Sequence, residues 1–64
     1  IMTYNEIFEL YKKVQQKDRE AEKQLIAEHK KKFPRHSFHK GEGSKPGDPY
    51  YRNDLHAMYL HLTR

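Results

Sequence analysis

The chain has 64 residues, 34% of them apolar and 34% charged, with a formal net charge of +4 and no cysteine. So short a chain forms one domain over 1–64 and buries only about 60% of the surface its unfolded form exposes, which excludes a large private core. The lack of cysteine excludes disulfides, thiolate zinc sites, iron–sulfur clusters and cysteine nucleophiles, and fits the reducing cytoplasm.

Met2 reads as the native start, with Ile1 a remnant before it; the alternative is an internal segment in which Met2 is ordinary. No apolar run approaches the roughly 18 residues that span a bilayer, so no membrane partner is expected. Thr3 and Glu6 have the capping-box spacing, and Pro34 disfavours helical geometry at Phe33. Between them there is neither glycine nor proline, and Glu, Lys, Gln, Ala and Leu dominate, so one long helix over about 3–32 is predicted. Its apolar positions Tyr4, Ile7, Phe8, Tyr11, Val14, Ala21, Leu25, Ile26 and Phe33 fall on one stripe, with His29 beside it. Six polar residues, Gln15 to Glu20, interrupt that stripe, and Asp18 lies in its middle.

Residues 34–47 have loop composition, with two prolines, all three glycines and both serines; Phe38 is an aromatic that could anchor them. Asp48-Pro49 offers an N-cap followed by proline at the first helical position, which predicts a second helix over about 49–62. Its main stripe is Tyr51, Leu55, Met58, Tyr59 and Leu62, with a second strip of Tyr50, Ala57 and Leu60. The expected fold is therefore all-α, a hairpin of a long and a short helix joined by a basic Gly/Pro loop. Thirty helical residues span about 45 Å and fourteen about 21 Å, so half of the long helix would stay uncovered. That mismatch predicts a homo-oligomer or docking on another protein. The alternative is a break near Gln16–Arg19 that gives three short helices closing on themselves.

The basic excess is concentrated. Lys30, Lys31, Lys32, Arg35, Lys40 and Lys45 face only Glu42 within residues 30–45. Interleaved with His36, Phe38 and His39, these six are candidate anion- or nucleic-acid-binding residues. Neither helix has the face of a major-groove reader, so such binding would be phosphate-driven and salt-sensitive.

Catalytic chemistry finds little support. The hydroxyls of Thr3, Ser37, Ser44 and Thr63 have no nucleophile-elbow context, and Gly41, Gly43 and Gly47 match neither common phosphate-binding loop. Among the histidines, His36 and His39 with a third donor could hold a metal, whereas His56 and His61, five apart, cannot share one ion unaided. No metal site and no cofactor are therefore expected, and no catalytic residue is assigned. The expected function is non-enzymatic: a small regulatory or inhibitory protein that occupies the surface of a larger protein partner. Tyr4, Phe8, Tyr11, Tyr51, Met58 and Tyr59 are its candidate core and partner-binding residues, because Tyr and Met are enriched at interfaces. A basic nucleic-acid-binding protein using residues 30–45 is the alternative.

Overall fold

In the computed structural model, which describes residues 2–36 and 45–64, the chain forms helices α1 (Tyr4–Gln15), α2 (Arg19–Lys32) and α3 (Tyr51–Leu62). No strand occurs among the described residues. The capping box opens α1 as its spacing predicts. The Thr3 hydroxyl accepts the Glu6 N–H at 3.2 Å, and the Glu6 carboxylate accepts the Thr3 N–H at 2.9 Å.

The long helix expected over 3–32 does not exist; it is two helices. α1 ends in a Schellman motif, in which the Asp18 N–H reaches the Lys13 carbonyl at 3.2 Å and the Lys17 N–H that of Val14 at 3.0 Å. Lys17 takes the left-handed conformation, φ 64°, that this motif requires. The Asp18 carboxylate then caps α2, accepting the N–H groups of Glu20 at 3.0 Å and Ala21 at 3.3 Å. Energetics decide the break. A lysine in the left-handed region costs roughly 1–2 kcal/mol, whereas burying each large aliphatic side chain gains about 1.5–3 kcal/mol. Folding α2 back on α1 brings Val14 and Leu25 into one core, so the turn wins.

That turn yields a sign test. Lys17→Gly is expected to stabilise the protein by about 0.5–1 kcal/mol, since glycine adopts positive φ without strain. In one straight helix the same change would destabilise by about 1 kcal/mol. The midpoint of urea unfolding distinguishes the two.

α3 begins at Tyr51 rather than near residue 49. Asp48 closes a turn ahead of it, its carboxylate accepting the Tyr50 N–H at 2.9 Å and its carbonyl that of Tyr51 at 3.1 Å. The helices have 12, 14 and 12 residues, hence similar lengths of about 18–21 Å. Each packs on both others. The length mismatch that argued for a homo-oligomer is thus removed. The main strip of α3 is covered within the chain, whereas Tyr50 and Leu60 of its second strip stay exposed. The core holds Ile7, Leu10, Val14, Ala21, Leu25, Tyr51, Leu55, Met58 and Leu62. Leu10, absent from the predicted stripe, lies one turn from Ile7 on the same face.

Charge also ties the helices together. Glu22 is 0% exposed, yet its carboxylate is well partnered. It accepts from the Tyr51 hydroxyl at 2.9 Å, from Arg19 at 3.1 Å and, most closely, from Arg52. Arg52 also donates to the Val14 carbonyl at 3.0 Å, at the negative end of the α1 dipole. Burial alone would raise the Glu22 pKa, but the hydrogen bonds from Arg52 and Tyr51 and the charges of Arg52 and Arg19 hold it below the usual carboxylate value. No described helix is long and apolar enough to cross a membrane.

Candidate functional site

Tyr4, Phe8 and Tyr11 lie four and three residues apart on α1 and so share a flank, displaced from the buried face of Ile7, Leu10 and Val14. α3 runs antiparallel beside this flank. The Tyr4 hydroxyl donates to the Arg64 carbonyl at 3.3 Å, while further along the Tyr11 hydroxyl meets His56 Nδ1 at 2.9 Å. Between those contacts Tyr11 stacks on Tyr59, with centroids 4.3 Å apart and planes 9° from parallel. Tyr4 is 62% and Phe8 50% exposed, and the Lys12 ammonium lies 5.4 Å above the Phe8 ring. Burial and the neighbouring Tyr59 push the Tyr11 pKa up, against the pull of Arg52. A recess beside the stack is lined by Tyr11, Val14, Gln15, Lys17, Arg52 and Leu55, with two cations and no carboxylate.

Four of the six candidate partner-binding residues, Tyr4, Phe8, Tyr11 and Tyr59, therefore meet on one aromatic surface. Tyr51 and Met58 do not. Both are buried in the core, because Tyr51 donates to Glu22 and Met58 packs in the middle of α3's inner face.

Among the described residues, the basic side chains form no comparable surface. Lys30, Lys31 and Lys32 occupy the last turn of α2, where cations complement the helix dipole. Lys31 pairs with Glu28 at 3.4 Å, and Lys32 lies 5.6 Å from the centre of the Phe33 ring. Arg35 and Lys45 are exposed, whereas Lys40, Phe38 and His39 fall outside the described residues. Of the hydroxyl groups, Thr3 serves as a cap and Thr63 donates to the Tyr59 carbonyl at 3.0 Å, while Ser37 and Ser44 also lie outside the described residues.

A second group, not foreseen from spacing, converges at the far ends of α2 and α3. His29 in the last turn of α2, His61 in the last turn of α3 and His36 just beyond Pro34 bring three imidazoles together. His29 Nε2 and His61 Nδ1 are 3.0 Å apart. The His36 ring stands edge-on to both, at 5.3 Å from His29 and 4.9 Å from His61. Phe33 covers the His29 ring, with centroids 5.1 Å apart. Burial first, then the charges of His61 and His36, lower the His29 pKa to about 4. Burial likewise lowers that of His61, helped by His36 and Arg64. The one available signal was positional: His29 lies in the last turn of one helix and His61 in the last turn of another, and only the parallel packing of α2 and α3, which the fold sets, brings those two ends together.

Comparison of the sequence with protein-family models, with curated proteins and with solved structures finds no match.

Proposed function

We propose that this chain is a non-enzymatic interaction protein that docks on an acidic surface of a larger protein through the aromatic flank of α1 and α3. Regulation or inhibition would follow from occupying that surface. The observation supporting it is the exposure of Tyr4 and Phe8 next to the Tyr11–Tyr59 stack, since clustered aromatics act as interface anchors. Lys17 in the recess beside the stack, with a net charge of +4, favours a partner carrying carboxylates, while Lys12 and Arg52 beside these rings are already paired with Glu9 and Glu22. Occupation of the recess beside the stack by an acidic or aromatic side chain of the partner would complete the interface.

The test uses the partner captured from the source cells and then purified. Phe8→Ala leaves the core intact, because Phe8 is outside it. It is expected to raise the Kd roughly 30-fold, the equivalent of about 2 kcal/mol. Replacing Lys30, Lys31 and Lys32 by Gln is expected chiefly to slow association. A retained nucleic acid whose binding falls steeply with salt, depends on those lysines and ignores Phe8→Ala would overturn the reading in favour of phosphate binding by residues 30–45. A complex of twice the 7.8 kDa chain mass, with no other protein bound, would overturn it in favour of self-association.

A further inference from the structure

We propose that His29, His36 and His61 form a binding site for a divalent transition-metal ion, Zn²⁺ first among them, in which the ion fastens the end of α2 to the end of α3. One nitrogen from each of the three imidazoles lies within 4.8 Å of the other two. Ligands around tetrahedral zinc, at about 2.0–2.1 Å from the ion, are about 3.3–3.4 Å apart. The His29–His61 separation of 3.0 Å is already close to that edge, so closing the triangle needs only small movements of His36. His36 is exposed, and a rotation of its ring displaces no core side chain.

Donor chemistry narrows the ion. Three imidazoles without a carboxylate or thiolate suit zinc, copper, nickel and cobalt, and do not suit magnesium or calcium, which take oxygen ligands. With His29 buried at 4% exposure and His61 half-buried, the imidazole rather than the imidazolium is the resident form at neutral pH. Little proton competition then opposes the metal. The nitrogens that contact each other at 3.0 Å share a proton in the metal-free protein. Binding moves that proton to the other nitrogen of the same ring, a change of tautomer with no net proton release.

Three protein ligands leave a fourth position for an outside ligand, and His36 and His61 also line a recess with Lys32, Phe33 and Arg64. Lys32 and Arg64 lower the affinity for a bare dication and favour an anion, such as hydroxide or chloride, as the fourth ligand. The site also explains an otherwise odd placement. Three imidazoles packed together at a helix end repel one another when protonated, and a shared metal ion turns that liability into a cross-link between segments 32 residues apart in sequence.

The test is titration of the tag-free, chelator-treated protein with Zn²⁺ by calorimetry and with Co²⁺ by visible spectroscopy. One ion per chain is expected, with the intense visible bands of four-coordinate cobalt and a rise in thermal midpoint on adding Zn²⁺. His36→Ala, at an exposed position, and His61→Ala are each expected to raise the Kd for Zn²⁺ at least tenfold. His56→Ala, on the opposite flank of α3, is expected to leave it unchanged. Absence of binding would overturn the assignment. So would binding that survives both His36→Ala and His61→Ala, or that depends on His39 in place of His36. Docking through the aromatic flank is measured with a different partner and different variants, so failure of either leaves the other standing.

Discussion

Arg52→Ala is expected to remove a large share of the protein's stability. Arg52 is the closest partner of the Glu22 carboxylate, and it joins α3 to both other helices, through Glu22 and the Val14 carbonyl. Its removal leaves Tyr51 and Arg19 on Oε1 and deprives the other, wholly buried oxygen of its donor. Breaking a fully buried pair from one side costs about 3–5 kcal/mol, whereas an exposed ion pair is worth under about 1 kcal/mol. With Glu22 wholly buried but Arg52 44% exposed, the loss falls between the two, at about 2–3 kcal/mol. A domain of this size has a total stability of only about 3–10 kcal/mol. Circular dichroism during urea unfolding measures the loss. The companion variant Glu22→Met in the Arg52→Ala background is expected to recover most of it, because an apolar side chain there needs no donor. A loss below 1 kcal/mol for Arg52→Ala would mean that Glu22 reaches water.

The second large effect is acid sensitivity that begins near neutrality. Unfolded His29 takes up a proton near its ordinary pKa of 6.5, but the folded ring resists until about 4, chiefly because it is buried and secondly because His61 and His36 face it. Between those values the unfolded state holds more protons, so stability is complete above pH 6.5 and declines as the pH falls. At 1.36 kcal/mol for each unit, about 2 kcal/mol is lost between pH 7 and pH 5. Glu22 acts in the same direction lower down, since its carboxyl also binds a proton less readily when folded than its ordinary value of 4.5 implies. Burial, His36 and Arg64 lower the pKa of His61 as well, which reinforces the trend. Metal-free protein unfolded in urea at pH 7.5, 6.0 and 5.0 should show this decline. His29→Leu should flatten it, and an unchanged slope in that variant would place the proton uptake elsewhere.

Local signals in the sequence carried through to the fold where they were self-contained. The capping box of Thr3 and Glu6 and the helical character on both sides of residues 34–47 needed nothing from the rest of the chain. The break at Lys17 was different. No residue from Gln15 to Glu20 opposes a helix chemically, and the turn exists only because α2 gains a core by returning along α1. A tertiary gain of that kind leaves a faint local trace, here an aspartate in the middle of an apolar stripe that turns out to be a cap. Asp18 is the start of a second helix and not a defect in one, and with that the length mismatch behind the expected self-association disappears. Glu22 and His29 were hard to see for a related reason. Each is a polar residue on an inward face, and its partners, Arg52 and Tyr51 for one and His61 for the other, come from beyond residue 50. Tyr4, Phe8, Tyr11 and Tyr59 could be picked out as surface aromatics. Their separation from Tyr51 and Met58 depended on the rotation of α3, which a pattern of two apolar strips does not fix.

The reliance of the first two helices on α3 bears on what happens if the backbone is cut between Arg35 and Lys45. The fragment carrying α1 and α2 would keep its local caps but hold a carboxylate whose arginine now belongs to another molecule. A covalent tether commonly supplies an effective concentration of order millimolar, so at micromolar fragment concentrations reassembly forfeits about 4 kcal/mol. A single nick would thus convert a folded chain into a pair of peptides whose joining depends on how much of each is present. The α3 peptide would rejoin its other half through Arg52, Tyr51 and Leu55.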